Sequence, residues 1–326
     1  MQSLSREWFR ARNSIQLRPS STNTCKNKYE LILVIGMIAR ANCQGSASYA
    51  HHPRCARVTR ALTNERDPSG GQRKTMKAII VGAGQGKRLL PHTADRPKCL
   101  LPVIGDLTIL EVQLRALAEC GVTEAAIMVG FRAEQVEKCL AERPIPGLKV
   151  RTCYNPFYAM SDNLATVWLA RPEMTDEFLL INGDTLFEIS LLEKVLAGPK
   201  VPITVTINEA EKYDEDDMKV LLDKDDRLTE IGKHLDINAV DAESIGMLLF
   251  RGKGVDILKD ALDRAIRTSE GLTNWYLKVI GNIALEHPVE TTRITGNWWG
   301  EVDCIEDLEH VRESLATIEQ KHLAGI

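Results

Sequence analysis

The sequence predicts an α/β fold in which helices cover both faces of a mostly parallel central sheet. From Met76 onward, short apolar runs alternate with amphipathic stretches, as strands and helices do in βαβ units. After Asp184 the pattern changes to closely spaced strand-like runs, which indicate a β-rich insertion. A chain of 326 residues, 44% of them hydrophobic, can bury the core of such a domain.

The predicted strands and helices follow one another in a regular order. The first five strands are predicted at 77–81, 125–129, 148–153, 177–181 and 201–207. The helices between them, with apolar residues every three or four positions, are predicted at 109–120, 132–140 and 163–170. The later part is predicted to hold strands at 220–222, 228–231 and 245–250, then helices at 256–267 and 305–319.

The first 75 residues differ from the rest in charge. They carry 13 Lys and Arg against 4 Asp and Glu, a net charge of +9, whereas the remaining 251 carry 28 against 41, a net charge of -13. An Arg-rich, acid-poor segment is typical of a targeting peptide, but a misassigned start before Met76 would give the same composition. We therefore predict a basic, disordered extension at 1–75 and one domain at 76–326.

Charge and cysteine usage limit the partners and the compartment. The acidic body argues against nucleic acid, whose phosphates are bound mainly by clustered Lys and Arg. The eight cysteines include no C-x-x-C pair, so zinc spacing is absent and reduced thiols in a cytoplasmic protein are expected. The apolar run at 31–39 is much shorter than the roughly 20 residues of a membrane helix, so no membrane partner is expected.

A glycine-rich turn directly follows the first predicted strand. Residues 82–88 read Gly-Ala-Gly-Gln-Gly-Lys-Arg, and Arg-Pro-Lys follows at 96–98. Glycines let backbone N–H groups approach a phosphate, while Arg88 and Lys98 supply positive charge. The turn is not a Walker A loop, because Arg88 replaces its Ser or Thr, and not a dinucleotide fingerprint, because Lys87 replaces its last glycine. A glycine-rich turn without a ligand is the alternative.

The turn and the motifs after it resemble a known family. The segment at 83–89, with Pro97-Lys98, resembles the signature of the nucleotidyltransferases that join a nucleoside monophosphate to a phosphorylated sugar or alcohol. The later motifs resemble the phosphocholine cytidylyltransferase-like branch, in order and spacing, at 155–163, 181–184, 217–220, 231–233, 243–247 and 299–303. The resemblance implies a Rossmann-like, three-layer nucleotidyltransferase domain. Two positions depart from the family pattern, namely Gly82 and the run at 164–168.

The implied reaction depends on alignment and charge. A phosphate or phosphonate oxygen of the acceptor attacks the α-phosphorus of a nucleoside triphosphate, and pyrophosphate leaves. The second pKa of a phosphate is about 6, so the attacking group is already an anion and needs no general base. What the protein must supply is Mg²⁺ and cationic side chains that align two polyanions.

The resemblance also assigns roles to individual residues. Nucleotide binding falls to Ala83, Gly84, Gln85, Gly86, Lys98 and Asp184. Catalytic roles fall to Arg88, Lys98 and Lys233, and Mg²⁺ ligation falls to Asp184 and Asp303. Asp184 could instead be a turn residue and Asp303 a helix N-cap, and either Lys219 or Lys233 could be an exposed strand residue.

The acceptor site is predicted from late aromatic residues and polar neighbours. The predicted acceptor-binding residues are Asn163, Lys219, Lys233, Trp275, Tyr276 and Trp299. Aromatic faces can hold a quaternary ammonium group, although aromatic pairs in the second half of an α/β domain also occur in the core. The acidic run at 214–217 is predicted to be a solvated loop, and His92 and His234 are predicted to have no special role.

Together these observations predict a Mg²⁺-dependent transferase. It would move CMP from CTP to a small cationic phospho-alcohol or an aminoalkylphosphonate, in a chain that could form a homodimer. The choice of base depends on the resemblance alone. Three alternatives remain: a sugar-1-phosphate nucleotidyltransferase using UTP, dTTP or GTP, a non-catalytic nucleotide-binding regulator, and a nicotinamide-dependent oxidoreductase.

Overall fold

The computed structural model of the protein describes residues 76–323, so the predicted extension at 1–75 lies outside the described residues. Within this range the strands are β1 (Lys77–Val81), β2 (Pro102–Ile104), β3 (Leu107–Thr108), β4 (Glu124–Val129), β5 (Lys149–Tyr154), β6 (Glu177–Asn182), β7 (Thr185–Phe187), β8 (Ile203–Asn208), β9 (Lys219–Leu222), β10 (Leu228–Gly232), β11 (Ala242–Arg251), β12 (Glu290–Arg293) and β13 (Trp299–Glu301). The helices are α1 (Ile109–Glu119), α2 (Ala133–Glu142), α3 (Asn163–Leu169), α4 (Ile189–Ala197), α5 (Lys253–Ile266), α6 (Tyr276–Glu286) and α7 (Ile305–Leu323).

Nine of these strands form the central sheet. Its main path has the order β10-β9-β11-β6-β1-β4-β5, and β8 joins it by pairing with β11 and β12. The strands β6, β1, β4 and β5 run parallel, as predicted, while β11 runs antiparallel to β6, β8 and β9. The predicted β-rich part therefore extends the same sheet through β9 and β10. Two small antiparallel sheets, β2 with β3 and β7 with β13, lie apart from it.

The sheet divides most of the core into two apolar clusters. Successive residues of a strand point to opposite faces, so Ile79 packs in one cluster and Ile80 in the other. Helices α3, α5 and α6 cover the first face, and α1, α2 and α4 cover the second. Burial on both faces explains why the parallel strands are nearly continuous apolar runs in the sequence. The three-layer α/β arrangement is confirmed.

Helix α7 packs away from both faces. Its Leu308 and Val311 join Leu89, Leu101 and Val302 in a third apolar cluster. Leu89 and Leu101 belong to the short turns that follow the glycine-rich loop, so α7 packs against the segment after this loop.

The sequence did not predict helices α4 and α6. Helix α4 follows β7 directly, with apolar residues at most positions, so helical periodicity is hard to see. Helix α6 begins at Tyr276, which the sequence predicts as an acceptor-binding residue with a core residue as the alternative, and the structure places it in the core.

Two further observations concern thiols and membranes. The five cysteines between residues 76 and 323 are free thiols, and the other three lie outside the described residues. None of the helices in this part of the chain combines the length and the apolar character that crossing a membrane requires.

Candidate active site

The glycine-rich loop lies at the carboxyl end of β1, beside the end of β6. Parallel strands deliver their loops to one edge of a sheet, where ligands bind in open α/β sheets. Gly183 lies against β1, because a Cβ atom there would be only 2.7 Å from the carbonyl oxygen of Val81. Glycine at this position allows the turn that carries Asp184 to contact the loop directly.

The loop itself combines an open side and a glycine in the left-handed conformation. Ala83 is buried, whereas Gly84 is exposed and a Cβ atom there would meet nothing within 4 Å. Gly86 has φ of 61°, a left-handed conformation that favours glycine, and its carbonyl oxygen accepts a hydrogen bond of 2.7 Å from the hydroxyl of Thr93. Gln85 is half-buried beside them. The predicted nucleotide loop thus presents backbone at the sheet edge.

Three carboxylates meet next to this loop. Asp184, Glu301 and Asp303 each offer one oxygen atom, and these atoms lie within 4.8 Å of one another. Strand β13 brings the last two to Asp184, because Glu301 pairs in register with Thr185 on β7. The structure therefore brings together the two predicted metal ligands and adds Glu301 as a third carboxylate.

The donor set fits a hard divalent cation. Asp184 Oδ1 is buried and accepts no hydrogen bond from the described part of the chain, which leaves it free to ligate. Carboxylate oxygens are the ligands that Mg²⁺ prefers, with water and phosphate completing its octahedron.

Two cations hold the aspartates from the side of the loop. Lys98 Nζ lies 2.5 Å from Asp184 Oδ2 and 2.8 Å from Asp303 Oδ1. Arg88 Nη2 lies 2.9 Å from Asp303 Oδ2. The basic residues of the predicted phosphate loop therefore directly contact the predicted metal ligands.

These contacts shift the protonation equilibria. Burial alone would lower the pKa of Lys98, but the charges of Asp184 and Asp303 outweigh it and raise the pKa above its ordinary value. Burial alone would raise the pKa of Asp303, yet Lys98 and Arg88 bring it below its usual range. Lys98 therefore stays a cation and Asp303 an anion at neutral pH.

Glu301 behaves in the opposite way. Burial, and then the negative charge of Asp184, raise the pKa of Glu301 well above the ordinary value of a glutamate. A cation among the three carboxylates would favour the ionised form of Glu301. With all three carboxylates ionised, the cluster would carry more negative charge than Lys98 and Arg88 neutralise, and a bound divalent cation would offset this excess.

Lys233 and Arg88 share a carboxylate on the acidic run at 214–217. Asp216 Oδ2 lies 3.1 Å from Arg88 Nη1, and its Oδ1 lies 3.3 Å from Lys233 Nζ. The side chain of Asp216 is 71% exposed, so the run is a surface loop as predicted, although two basic residues pair with it. The three catalytic residues predicted from the sequence, Arg88, Lys98 and Lys233, are thereby connected by bridging aspartates.

The position of Lys219 does not match the acceptor-binding role predicted for it. Its side chain is buried, and Nζ donates to the carbonyl oxygens of Glu215 at 3.0 Å and Lys233 at 2.9 Å. The ammonium group therefore supports the loop and the strand end that carry Asp216 and Lys233, and does not face an open cleft.

The three aromatic residues predicted to bind the acceptor do not surround a common site. Tyr276 is buried on the first face of the sheet, where its hydroxyl donates to Asn182 Oδ1 and its amide to Asn163 Oδ1. Trp299 packs against the apolar cluster of the second face. Trp275 is 41% exposed, and Lys233 Nζ lies 5.2 Å from its ring centroid. Only Trp275 of these three rings is both exposed and next to a predicted site residue.

Sequence reasoning missed two residues around Asp184. Glu301 is not among the metal ligands that the sequence predicts, because no local pattern shows that β13 pairs with β7. Gln113 lies in the apolar face of α1 and was not predicted as a site residue. A polar residue in such a face is a signal in the sequence that could have identified it.

The glycine-rich loop and the acidic cluster lie together at the carboxyl edge of the parallel strands, where ligands bind in open α/β sheets. Residues 77–216 match the family described as nucleotidyl transferase. This match and the relatives described below support a nucleotidyltransferase family with a cytidylyltransferase-like branch.

Two curated relatives and one solved structure illustrate the similarity. CMP-5'-(3-aminopropyl)phosphonate synthase of Streptomyces rubellomurinus is 37% identical over 125 residues, which cover 38% of this chain and 20% of that protein. Choline-phosphate cytidylyltransferase of Streptococcus pneumoniae is 34% identical over 113 residues, 35% of this chain and 47% of that protein. Both matches span less than half of the relative's length.

The solved structure shares the fold. CTP:phosphocholine cytidylyltransferase from Streptococcus pneumoniae superposes with a TM-score of 0.58 at 22% identity, covering 74% of this chain and 99% of that one. The α/β nucleotidyltransferase fold predicted from the sequence is confirmed by this likeness.

Proposed function

We propose that the protein transfers CMP from CTP to a small phosphorylated acceptor and releases pyrophosphate, with Mg²⁺ as its cofactor. The observation that carries this proposal is the cluster of Asp184, Glu301 and Asp303 in contact with Lys98 and Arg88. Such a combination of acidic and basic groups suits a metal-bound triphosphate.

Asp184, Glu301 and Asp303 would hold the metal. When bound there, Mg²⁺ supplies positive charge that offsets the charge of the triphosphate and of the departing pyrophosphate. The buried oxygen of Asp184 that lacks a hydrogen bond supports this assignment.

Lys98 and Arg88 would stabilise charge and would not transfer protons. The raised pKa of Lys98 keeps it charged through the neutral range, so it can attract the phosphates but is a poor acid. Arg88 is always a cation and lies on the exposed side. Its guanidinium can donate hydrogen bonds to a phosphate in place of Asp216. The acceptor phosphate is already ionised, so no general base is needed.

Lys233 and Trp275 would hold the acceptor. Lys233 can bind the acceptor phosphate, because it shares Asp216 with Arg88 and so lies near the nucleotide side. The exposed ring of Trp275 beside it offers a face for a cationic group. The relatives named above make an aminopropylphosphonate nucleotide and act on choline phosphate, so we favour acceptors with an amine or quaternary ammonium group.

The proposal is tested by pyrophosphate release from the full-length protein. Mg²⁺ is supplied with each of CTP, UTP, dTTP, GTP and ATP, against phosphocholine, phosphoethanolamine, 2-aminoethylphosphonate, glycerol phosphate and hexose 1-phosphates. Release confined to CTP with one amine-bearing acceptor is expected. Release only with a hexose 1-phosphate would support a sugar nucleotidyltransferase, and CTP binding without any turnover would support a regulator. The cytoplasmic location and the homodimer stay predictions from the sequence.

A further inference from the structure

The turn that carries Asp184 forms hydrogen bonds with β1, with β11 and with the residue that follows β13. The amide of Gly183 donates to the carbonyl oxygen of Val81 at 3.0 Å, and the amide of Val302 donates to that of Asp184 at 3.2 Å. The hydroxyl of Thr185 donates to the carbonyl oxygen of Ile245 at 3.1 Å. Residues 182–185 are therefore tied to β1, to β11 and to the end of β13.

A further attachment comes from one side chain of α1. Gln113 Nε2 donates to the carbonyl oxygen of Asn182 at 2.9 Å and to that of Thr185 at 2.7 Å. These two residues lie on either side of Gly183 and Asp184, so a single NH₂ group spans the turn with both of its N–H bonds. The side chain of Gln113 is only 1% exposed, so bulk water does not compete for these bonds.

Gln113 is an unusual residue for its position. Its neighbours on the buried side of α1, Leu110, Leu114 and Leu117, all pack in an apolar cluster. Gln113 Oε1 is buried and accepts no hydrogen bond from the described residues, which is unfavourable for a buried acceptor. A leucine at this position would not bury an unpaired acceptor. The amide group is therefore explained by the two hydrogen bonds that it donates.

We propose that Gln113 is a positioning residue that directs the carboxylate of Asp184 towards the divalent cation. The inference depends on the metal site of the proposed function. Asp184 Oδ2 is held by Lys98, so the direction of Oδ1 follows from the orientation of the turn. If the turn rotates, Oδ1 moves relative to Glu301 and Asp303. Removing an outer partner that orients a metal ligand typically weakens metal affinity about 10- to 100-fold.

The test uses Gln113→Met, which keeps the side-chain length but removes both donated bonds. Mn²⁺ serves as the probe, and its binding to the full-length protein without nucleotide is followed by electron paramagnetic resonance. The dissociation constant is expected to rise about 10- to 100-fold. Raising the metal concentration should recover part of the lost pyrophosphate release, because the defect lies in metal binding.

Two controls separate positioning from a loss of stability. Gln135→Met removes a similar bond, from an amide to the carbonyl oxygen of Asp95 at 2.6 Å, on an exposed surface. Leu114→Val lowers the packing of the same buried face of α1 but leaves Gln113 in place. Both variants should bind Mn²⁺ as the unmodified protein does, even if Leu114→Val melts at a lower temperature.

Wild-type Mn²⁺ affinity in Gln113→Met would overturn the inference, as would equal weakening in Leu114→Val. Asp184→Asn distinguishes a failure of the proposed role of Gln113 from a failure of the proposed metal site. If Asp184→Asn loses Mn²⁺ binding while Gln113→Met keeps it, only the role of Gln113 fails. If Asp184→Asn also binds normally, the proposed metal site fails. If Gln113→Met does not fold, Gln113→Glu replaces it, and its carboxyl group, which can donate at most one bond, should weaken Mn²⁺ binding.

Discussion

The two sides of the proposed active site, the metal side and the acceptor side, are built differently. On the metal side, Asp184 and Lys98 are mostly buried and lie on turns tied to the central sheet. On the acceptor side, Asp216 and Trp275 are exposed and lie on surface loops. Groups that must align phosphates need a rigid support, whereas loops can change with little effect on the fold. We therefore expect substitutions on the metal side to affect the rate much more strongly.

The largest effect is expected for Asp184→Asn. The amide keeps the shape but removes the charge of the buried oxygen proposed to ligate the cation. Turnover should fall about 100- to 1000-fold, as expected when a strong electrostatic contact to the reacting phosphates is lost. Pyrophosphate release measures the rate, and circular dichroism checks that the fold is intact. A near-normal rate in this variant would contradict the metal assignment.

Glu301→Gln should reduce the rate by a smaller factor, about 10- to 100-fold. It should also change how stability depends on pH when a chelator removes divalent cations. The raised pKa of Glu301 means that the folded state holds its proton longer than the unfolded state does. The contribution of Glu301 to stability is therefore lost as pH rises from its unfolded pKa through its folded pKa.

Melting curves from pH 5 to 9 provide the measurement. Glu301→Gln lacks this titration, so relative to the unmodified protein it should gain a few degrees in melting temperature towards high pH. Added Mg²⁺ should reduce the difference, because the metal favours the ionised glutamate. Parallel melting curves for the two proteins under chelation would contradict the charge repulsion described here.

Trp275→Leu tests the acceptor side. Loss of the ring face should raise the KM for phosphocholine about 3- to 30-fold, the range of a cation–π contact. The KM for CTP and the rate with glycerol phosphate, which has no cationic group, should stay within twofold. Equal losses for the two acceptors would mean that the ring does not contact the cation.

The smallest effect is expected for Asp216→Asn. Asp216 forms exposed ion pairs with Arg88 and Lys233, and such pairs contribute little to stability. Their loss removes the charged partner of Lys233 and of Arg88 Nη1, while Arg88 Nη2 keeps its contact with Asp303, so the KM for the acceptor should fall about two- to fivefold at low salt. Steady-state kinetics at two ionic strengths measure this, with Asp260→Asn on the exposed surface of α5 as the control. A rise in KM would show that Asp216 itself helps to bind the acceptor.

The sequence predicted the sheet better than it predicted the site. Residues of β1 and β6 are apolar on both faces, and this pattern is local, so their strands could be located from the sequence alone. The meeting of Asp184 with Glu301 depends on the pairing of β7 with β13, which are far apart in the chain and only three residues long. Periodicity carries no information about such a pairing.

Local sequence patterns also could not predict whether individual side chains are buried. Tyr276 and Trp275 are adjacent in sequence, yet one is buried in the core and the other is 41% exposed. Lys219 likewise resembled an exposed strand residue until its carbonyl partners were known. In both cases the deciding contacts come from segments that only the folded chain brings together.

The pairing of β13 with β7 also has a consequence for biosynthesis. Two of the three clustered carboxylates, Glu301 and Asp303, come near the end of the described domain, whereas Asp184 and the loop after β1 come much earlier. During translation, the sheet and the phosphate loop can form while the cluster is still incomplete. We therefore expect a nascent chain to complete the proposed divalent-cation site only after Asp303 has been synthesised, when most of the core of the described domain can already be in place.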